Sequence, residues 1–507
     1  MGAELTISTS QGHTTAMTAT FDNSYAQLGD THSQNIAPTP VEAPAWMLFN
    51  ESLAADMDWP KDWRQTPQAL ACFAGNALFE GCNPTATVYA GHQFGSYNPQ
   101  LGDGRAILLG EWCCPQGKRR DVQLKGAGPT PFSRGGDGRS PVGPVVREFL
   151  VSEAMHALGV PTTRALAAVA SGERVFRNHP EPGAVLTRVA SSHLRIGTVQ
   201  YFAMTQGGDG LEALVDHVVA RHFAQALEKP ENAGLSQAAV LLTEVAGRLS
   251  LLAAHWQRLG FIHGVLNTDN MLLCGETIDY GPCAFMDGHD PARVFSSIDT
   301  QGRYAYRNQP SIVHWNLSVL AQCLLPLIDS NEDKSLAFAQ RVIDAFPQQF
   351  TDAHGATMAQ KFGLSGFRES DKLLVDDFFS ALAQDELDFS LAFRWLTETA
   401  QGTLDHSPVG ELFTPNQALL DWLESWQARH RGGSEETHAA MRLANPTVIP
   451  RNHWIAAAIS DAEAGDYALM QRLFQRWQQP ADWFAGDEQL AAPPTPDEVV
   501  TRTFCGT

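Results

Sequence analysis

Apolar positions change their rhythm part-way along the chain. In the first half they form short runs broken by glycine and proline. In the second half they recur every three or four residues. Residues 105–112 and 121–125 predict two strands joined by a Pro-Gln-Gly turn. Val146, Phe149, Leu150, Ala154 and Leu158 mark one face of a helix over 145–158, which stops at Gly159 and Pro161. Strand-like runs follow at 164–170 and 184–189. From Leu211 onward, helical spacing appears near 211–227, 237–259, 311–328, 334–345, 370–400, 415–430 and 453–478. Residues 1–65 read as an irregular, proline-containing arm. The segment from about 485 to 507 contains Ala-Ala-Pro-Pro-Thr-Pro and reads as a loose tail. There is no internal repeat.

Charge narrows the function classes. The 507 residues carry 35 Lys plus Arg against 56 Asp plus Glu, a net charge of −21. Such a chain repels nucleic acid at long range, while a local cationic pocket for a phosphate ligand stays open to it. No apolar run approaches bilayer length, and the first thirty residues lack the charge pattern of a signal or transit peptide. No nucleic-acid or membrane partner is expected, and the expected location is cytoplasmic. The eight cysteines include no Cys-x-x-Cys pair, which argues against zinc and for free thiols. Cys505 stands apart, three residues from the end.

The chemistry is concentrated in two loops. His263-Gly-Val-Leu-Asn-Thr-Asp269-Asn270 is followed by Asp279-Tyr-Gly281. A protein-kinase catalytic loop places a metal-binding Asn seven residues after its His, and a second loop supplies a metal-binding Asp. Asn270 and Asp279 fit those places. The usual kinase base position, two after the His, is Val265, and an acid appears instead at Asp269. The loops therefore keep a metal site and move or lose the base. Carboxylate and amide oxygens suit Mg²⁺ or Mn²⁺. Upstream, Lys125 ends a predicted strand and Glu148 lies in the first predicted helix, the order in which a kinase fixes its phosphate-binding ammonium. His263 reads as structural. Two glycine-rich stretches, 91–105 and 134–139, could bring backbone amides near a phosphate, or could simply be tight turns. Arg188 and Arg195 are either phosphate ligands or surface residues on spacing alone.

These segments closely resemble the selenoprotein O family of pseudokinase-fold protein AMP-transferases. The stretches that carry the resemblance include 21–25, 89–95, 100–105, 123–131, 263–271, 278–282, 302–304, 308–310 and 445–453. The resemblance implies an α+β, bilobal protein-kinase-like (pseudokinase) fold with a β-rich N-lobe, a helical C-lobe and family-specific extensions at both ends. It implies an N-terminal extension over 1–79 packing on the core, a nucleotide-binding N-lobe over 80–210, a helical C-lobe over 211–484 and a flexible tail over 485–507. It implies ATP held by Gly102, Gly104, Arg105, Lys125, Asp137, Gly138, Arg188, Arg195 and Asp279, with Glu148 in support. Asp269 falls on the base, and Asn270 and Asp279 on the ligands of Mg²⁺ or Mn²⁺. The implied reaction moves AMP from ATP to Ser, Thr or Tyr hydroxyls of protein substrates, self-modification included, and releases pyrophosphate. Cys505 falls where relatives carry a redox-active tail residue. The position matching a partner cysteine in some relatives falls near Phe295, which puts a regulatory disulfide in doubt.

Two other readings compete. A protein or small-molecule kinase would need a base where Val265 stands. A non-catalytic nucleotide-binding pseudokinase would not need the complete set of Lys125, Glu148, Asn270, Asp269 and Asp279.

Overall fold

A β-sheet of nine strands organises the N-terminal part of the computed structural model, which describes residues 20–114, 117–205 and 209–503. In chain order the strands are β1 (Thr20–Asp22), β2 (Ser33–Asn35), β3 (Ala45–Phe49), β4 (Thr85–Thr87), β5 (Gly91–Gln93), β6 (Ser96–Asn98), β7 (Ala106–Cys113), β8 (Arg119–Lys125), β9 (Ser140–Pro141), β10 (Arg164–Phe176) and β11 (Pro180–Ala190). The main sheet runs β2-β4-β7-β8-β11-β10-β3, with β1 added on β7 and β9 on β11, while β5 and β6 form a separate hairpin. The antiparallel register sets Lys125 opposite Ala106 on one side and Leu186 on the other, and Arg188 opposite Gln123. Lys125 and Arg188 thus lie on adjacent strands of the sheet centre.

The helix Val142–Ala157 packs on this sheet through Val145, Val146, Phe149 and Leu150, all at most 1% exposed. It starts directly after Pro141, whose fixed φ suits a helix entry. After β11 the described residues are mainly helical, with one two-stranded antiparallel sheet of Phe261–Ile262 and Ala284–Phe285. Helix Gln237–Arg258 is capped by the Ser236 side chain, which accepts from Ala239 N, and it leads into the loop 263–270. The mixed architecture expected from the apolar rhythm is present, with strands first and helices after.

Several local expectations need correction. The arm is not irregular from residue 20 onward, because β1, β2 and β3 all join the main sheet. Its Trp59 stacks on Trp112 of β7 with ring centroids 4.3 Å apart. The described part of the tail is also held. Arg451 donates to Ala491 O through Nε (3.0 Å) and Nη2 (2.8 Å), and Thr503 N donates to Phe295 O (2.9 Å). Cys505 lies outside the described residues. The predicted helix over 370–400 is two helices, Asp371–Gln384 and Phe389–Gln401, because Asp388 caps the second through Leu391 N. The one over 453–478 breaks around Gly465, whose φ of 91° favours glycine. The one over 334–345 continues to Lys361. Helices Ile196–Thr205 and Glu435–Ala444 were not anticipated.

Two helices, Gln237–Arg258 and Tyr306–Ile328, are in fact long and apolar enough to cross a bilayer by length and composition. Their most apolar windows are 67% and 56% buried within the protein, so packing against other helices accounts for their composition.

Candidate functional site

The loop 263–270 and the loop around Asp279 meet the ends of β8 and β11 across a cavity of about 890 Å³. Gly102, Gly104, Arg105, Lys125, Asp137, Gly138, Arg188, Arg195, Asp269, Asn270 and Asp279 all line it. Glu148 lies behind this wall, on helix Val142–Ala157, and is 2% exposed. Seven basic and four acidic side chains line the cavity, the reverse of the balance in the chain as a whole. Such a concave basic site focuses anions.

The cations are held by two carboxylates. Lys125 Nζ donates to Glu148 Oε2 (2.5 Å), and Arg188 Nε donates to Glu148 Oε1. Arg188 Nη2 donates to Asp279 Oδ1 (2.5 Å), and Arg195 Nη1 to Asp279 Oδ2 (2.9 Å). Burial lowers the pKa of Lys125 to about 8, and the neighbouring Arg188 adds to the effect. Burial opposes ionisation of Asp279, but Arg188, Arg195 and Lys125 outweigh it and hold its carboxyl well below the ordinary value. Arg195 also pairs with Asp103 at 3.9 Å, so the three cations meet three carboxylates, and the attraction for an incoming phosphate comes from the basic excess of the cavity lining as a whole.

The loop 263–270 is positioned from both sides. His263 is fully buried, its Nε2 lies 2.8 Å from Ile278 O, and its main-chain N–H donates to Gln309 Oε1 (3.0 Å). That contact ties the two loops together. Val265, at the kinase base position, is 4% exposed and offers no proton acceptor. Asp269 is 5% exposed, and burial raises its pKa to about 6. Its main-chain O accepts from Arg195 Nη1 (2.5 Å) and its Oδ2 from Gln93 Nε2 (3.1 Å).

The glycine-rich stretches divide. The segment 91–95 does not offer its amides to the cavity. His92 N donates to Thr268 Oγ1 (2.8 Å) and Phe94 N to Asn267 Oδ1 (3.1 Å), so the β5–β6 hairpin clamps the loop 263–270. Gly102 and Gly104 do face the cavity. A Cβ at Gly104 would lie 2.9 Å from Phe132 O, so close packing alone demands glycine there. Gly138 has a φ of 66° and packs its backbone on Gly128, whose N–H donates to Gly138 O (3.1 Å). Asp137 accepts from Arg177 Nη1 (2.9 Å), a partner 40 residues away that sequence spacing gave no means of finding. Sequence reasoning also missed Tyr89, whose ring lies 4.6 Å from the Arg195 guanidinium carbon. Asp103, which accepts from Thr87 Oγ1 (2.6 Å) and steadies this wall, was missed for the same reason.

Comparison with known proteins places this geometry. A family model described as "Protein adenylyltransferase SelO" matches residues 15–478. The chain belongs to the SelO family. "Protein nucleotidyltransferase YdiU" of Bradyrhizobium sp. strain BTAi1 is 50% identical to it over 493 residues, covering 96% of this chain and 99% of the relative. The proteins of the same name from Bradyrhizobium diazoefficiens and from Rhodopseudomonas palustris strain BisB18 are each 48% identical, with 96% and 99% coverage. The match to the SelO family spans the cavity, the two loops and the helical part.

Two features of the site bear on a metal. Asn270 Nδ2 donates to Val265 O (2.9 Å), which leaves its amide oxygen for another partner. Asp279 adopts a left-handed φ of 65°, and its side chain is 25% exposed toward the cavity. Among the described residues no cluster of three or more His, Cys, Asp or Glu could hold an ion by itself. An oxygen pair completed by phosphate and water is the arrangement Mg²⁺ ordinarily uses, so these residues fit such an ion.

Proposed function

We propose that this protein is an adenylyltransferase that moves AMP from ATP to a Ser, Thr or Tyr hydroxyl of a protein and releases pyrophosphate. The observation that carries this reading is Asp269. It is a nearly buried carboxylate on the cavity wall, one residue from Asn270, in a loop whose kinase base position is Val265.

The kinase-like, bilobal reading of the fold rests on the order of these parts: strand Lys125, helix Glu148, then the Asn270 and Asp279 loops. Lys125, Arg188 and Arg195 would hold the terminal phosphates and stabilise pyrophosphate as it departs. Arg105, Gly102, Gly104, Asp137 and Gly138 would line the rest of the nucleotide. Asn270 and Asp279 would hold Mg²⁺ or Mn²⁺, which when bound neutralises phosphate charge. Asp279 must then exchange part of its contact with Arg188 and Arg195, and the incoming phosphates supply those arginines with new anionic partners. Asp269 would accept the acceptor hydroxyl's proton as the oxygen bonds to the α-phosphorus. The bond from that phosphorus to the β-phosphate oxygen breaks, and the electron pair leaves with pyrophosphate.

ATP labelled separately at the α- and γ-phosphates tests this. Protein-bound α-label that disappears in Asp269→Ala supports the proposal. Protein-bound γ-label makes the chain a kinase, and no label makes it a nucleotide-binding scaffold.

A further inference from the structure

The two oxygens of the Asp269 carboxylate are in different surroundings. Oδ1 is buried and has no hydrogen-bond partner. It is walled in by Gly91, where any Cβ would collide with the carboxylate and approach Leu101 Cδ1 to 2.9 Å. Oδ2 alone has a donor, the Gln93 carboxamide, and Gln93 itself lines the cavity. A protein hydroxyl entering the cavity can therefore reach the carboxylate only through Oδ2. That oxygen has two lone-pair directions, and one is taken.

Gln93 pairs with Ser96 directly beside the hairpin turn. The β5–β6 connection is the two-residue turn Phe94-Gly95, with φ of 52° and 84°. Both values belong to the tight type I′ hairpin turn, in which a phenylalanine is strained. The strain is sustained by contacts to the loop 263–270 and its support. Phe94 N donates to Asn267 Oδ1 and to Tyr304 OH (3.2 Å), and the two rings lie 5.0 Å apart. Strain of this kind persists where the surroundings over-determine a functional geometry. Here it fixes the distance from the hairpin to Asp269.

Building on the proposed adenylyl transfer, we propose that Gln93 and Oδ2 of Asp269 together form the subsite for the acceptor hydroxyl, with Gln93 as its positioning residue. The carboxamide N–H occupies one lone pair of Oδ2 and fixes the carboxylate rotamer. The second lone pair then receives the acceptor proton. The ligand is an aliphatic or phenolic hydroxyl on a polypeptide, and the nucleotide makes no use of Gln93.

Gln93→Met tests this, since methionine keeps the length and volume and removes the donor. Gln93→Ala serves as the truncated comparison, and thermal melting checks that both fold. With α-labelled ATP and a protein acceptor, both variants should lose at least tenfold in kcat, with the KM for ATP within threefold of wild type. A merely structural residue would be restored by methionine. Wild-type kcat in Gln93→Met, or a loss confined to the KM for ATP, overturns the role of Gln93. Failure of the wild type to attach α-label overturns the underlying reaction and this proposal with it, so the two failures are distinguishable.

Discussion

Arg188 donates through Nη2 to Asp279 Oδ1 at 2.5 Å, so the carboxylate proposed to hold a metal is paired with a strand arginine. The same guanidinium reaches Glu148 through Nε. One arginine therefore links the helix, the sheet and the metal loop, and ligand entry must redistribute its contacts.

The first prediction concerns that carboxylate. Asp279→Ala should abolish the effect of Mg²⁺ on ATP binding, because Asn270 alone is a poor ligand for a hard cation. Calorimetry with and without Mg²⁺ reads this directly. A variant that keeps the wild-type gain in ATP affinity on adding Mg²⁺ would place the metal elsewhere.

Lys125→Ala should cut AMP transfer while the protein still folds. Losing a charge-assisted phosphate contact costs about 1.5–3 kcal/mol, which is roughly a 10- to 150-fold loss of rate. Removing Lys125 still leaves Glu148 paired to Arg188, so circular dichroism should be unaltered. A variant with wild-type kcat/KM would remove Lys125 from the site.

Stability should fall on mild acidification. Burial lowers the pKa of His222 to about 3, and of His255, His289 and His354 to about 4. An unfolded histidine titrates near 6.5. Between these values the unfolded chain binds protons that the folded one refuses, so stability is present above pH 6.5 and is lost as pH falls toward 4. Each group contributes a slope of up to about 1.4 kcal/mol per pH unit. Asp269, Glu276 and Asp287, whose pKa values burial raises, act in the opposite direction but are fewer than the histidines that burial holds low. Urea midpoints at pH 7.5 and 5 should differ clearly, and His354→Phe should flatten the slope. Equal midpoints in the wild type would refute this account.

Brief alkylation should mark Cys505 before the mid-chain cysteines. Cys72, Cys114, Cys274, Cys283 and Cys323 are buried, and burial pushes the thiols of Cys283 and Cys323 up to about 12. Such thiols are scarcely ionised at neutral pH and react slowly. Peptide mass spectrometry after iodoacetamide treatment checks the order, and earlier labelling of Cys274 or Cys323 would contradict it.

The change from strand to helix character, the first helix and the motif loops were all legible in the sequence, because each depends on local periodicity or on fixed spacing within one loop. The arm was not. β1 and β2 have three residues each, too few to show alternation, and β3 is apolar on both faces because Met47 and Phe49 enter different cores. Sequence could name Lys125, Glu148, Arg188, Arg195 and Asp279 as candidates. Only the antiparallel register of β8 with β11 and the packing of helix Val142–Ala157 bring them into one ion-pair network. The 91–95 stretch shows the opposite case. Its glycines fit a phosphate loop equally well until the tertiary structure turns its amides onto Asn267 and Thr268. Local sequence determined which groups the chain carries and which segments coil or extend. Long-range packing decided which of those groups meet, since contacts across 23 to 91 positions in the ion-pair network, and across more than 170 in the hairpin clamp, leave no periodic trace in the chain.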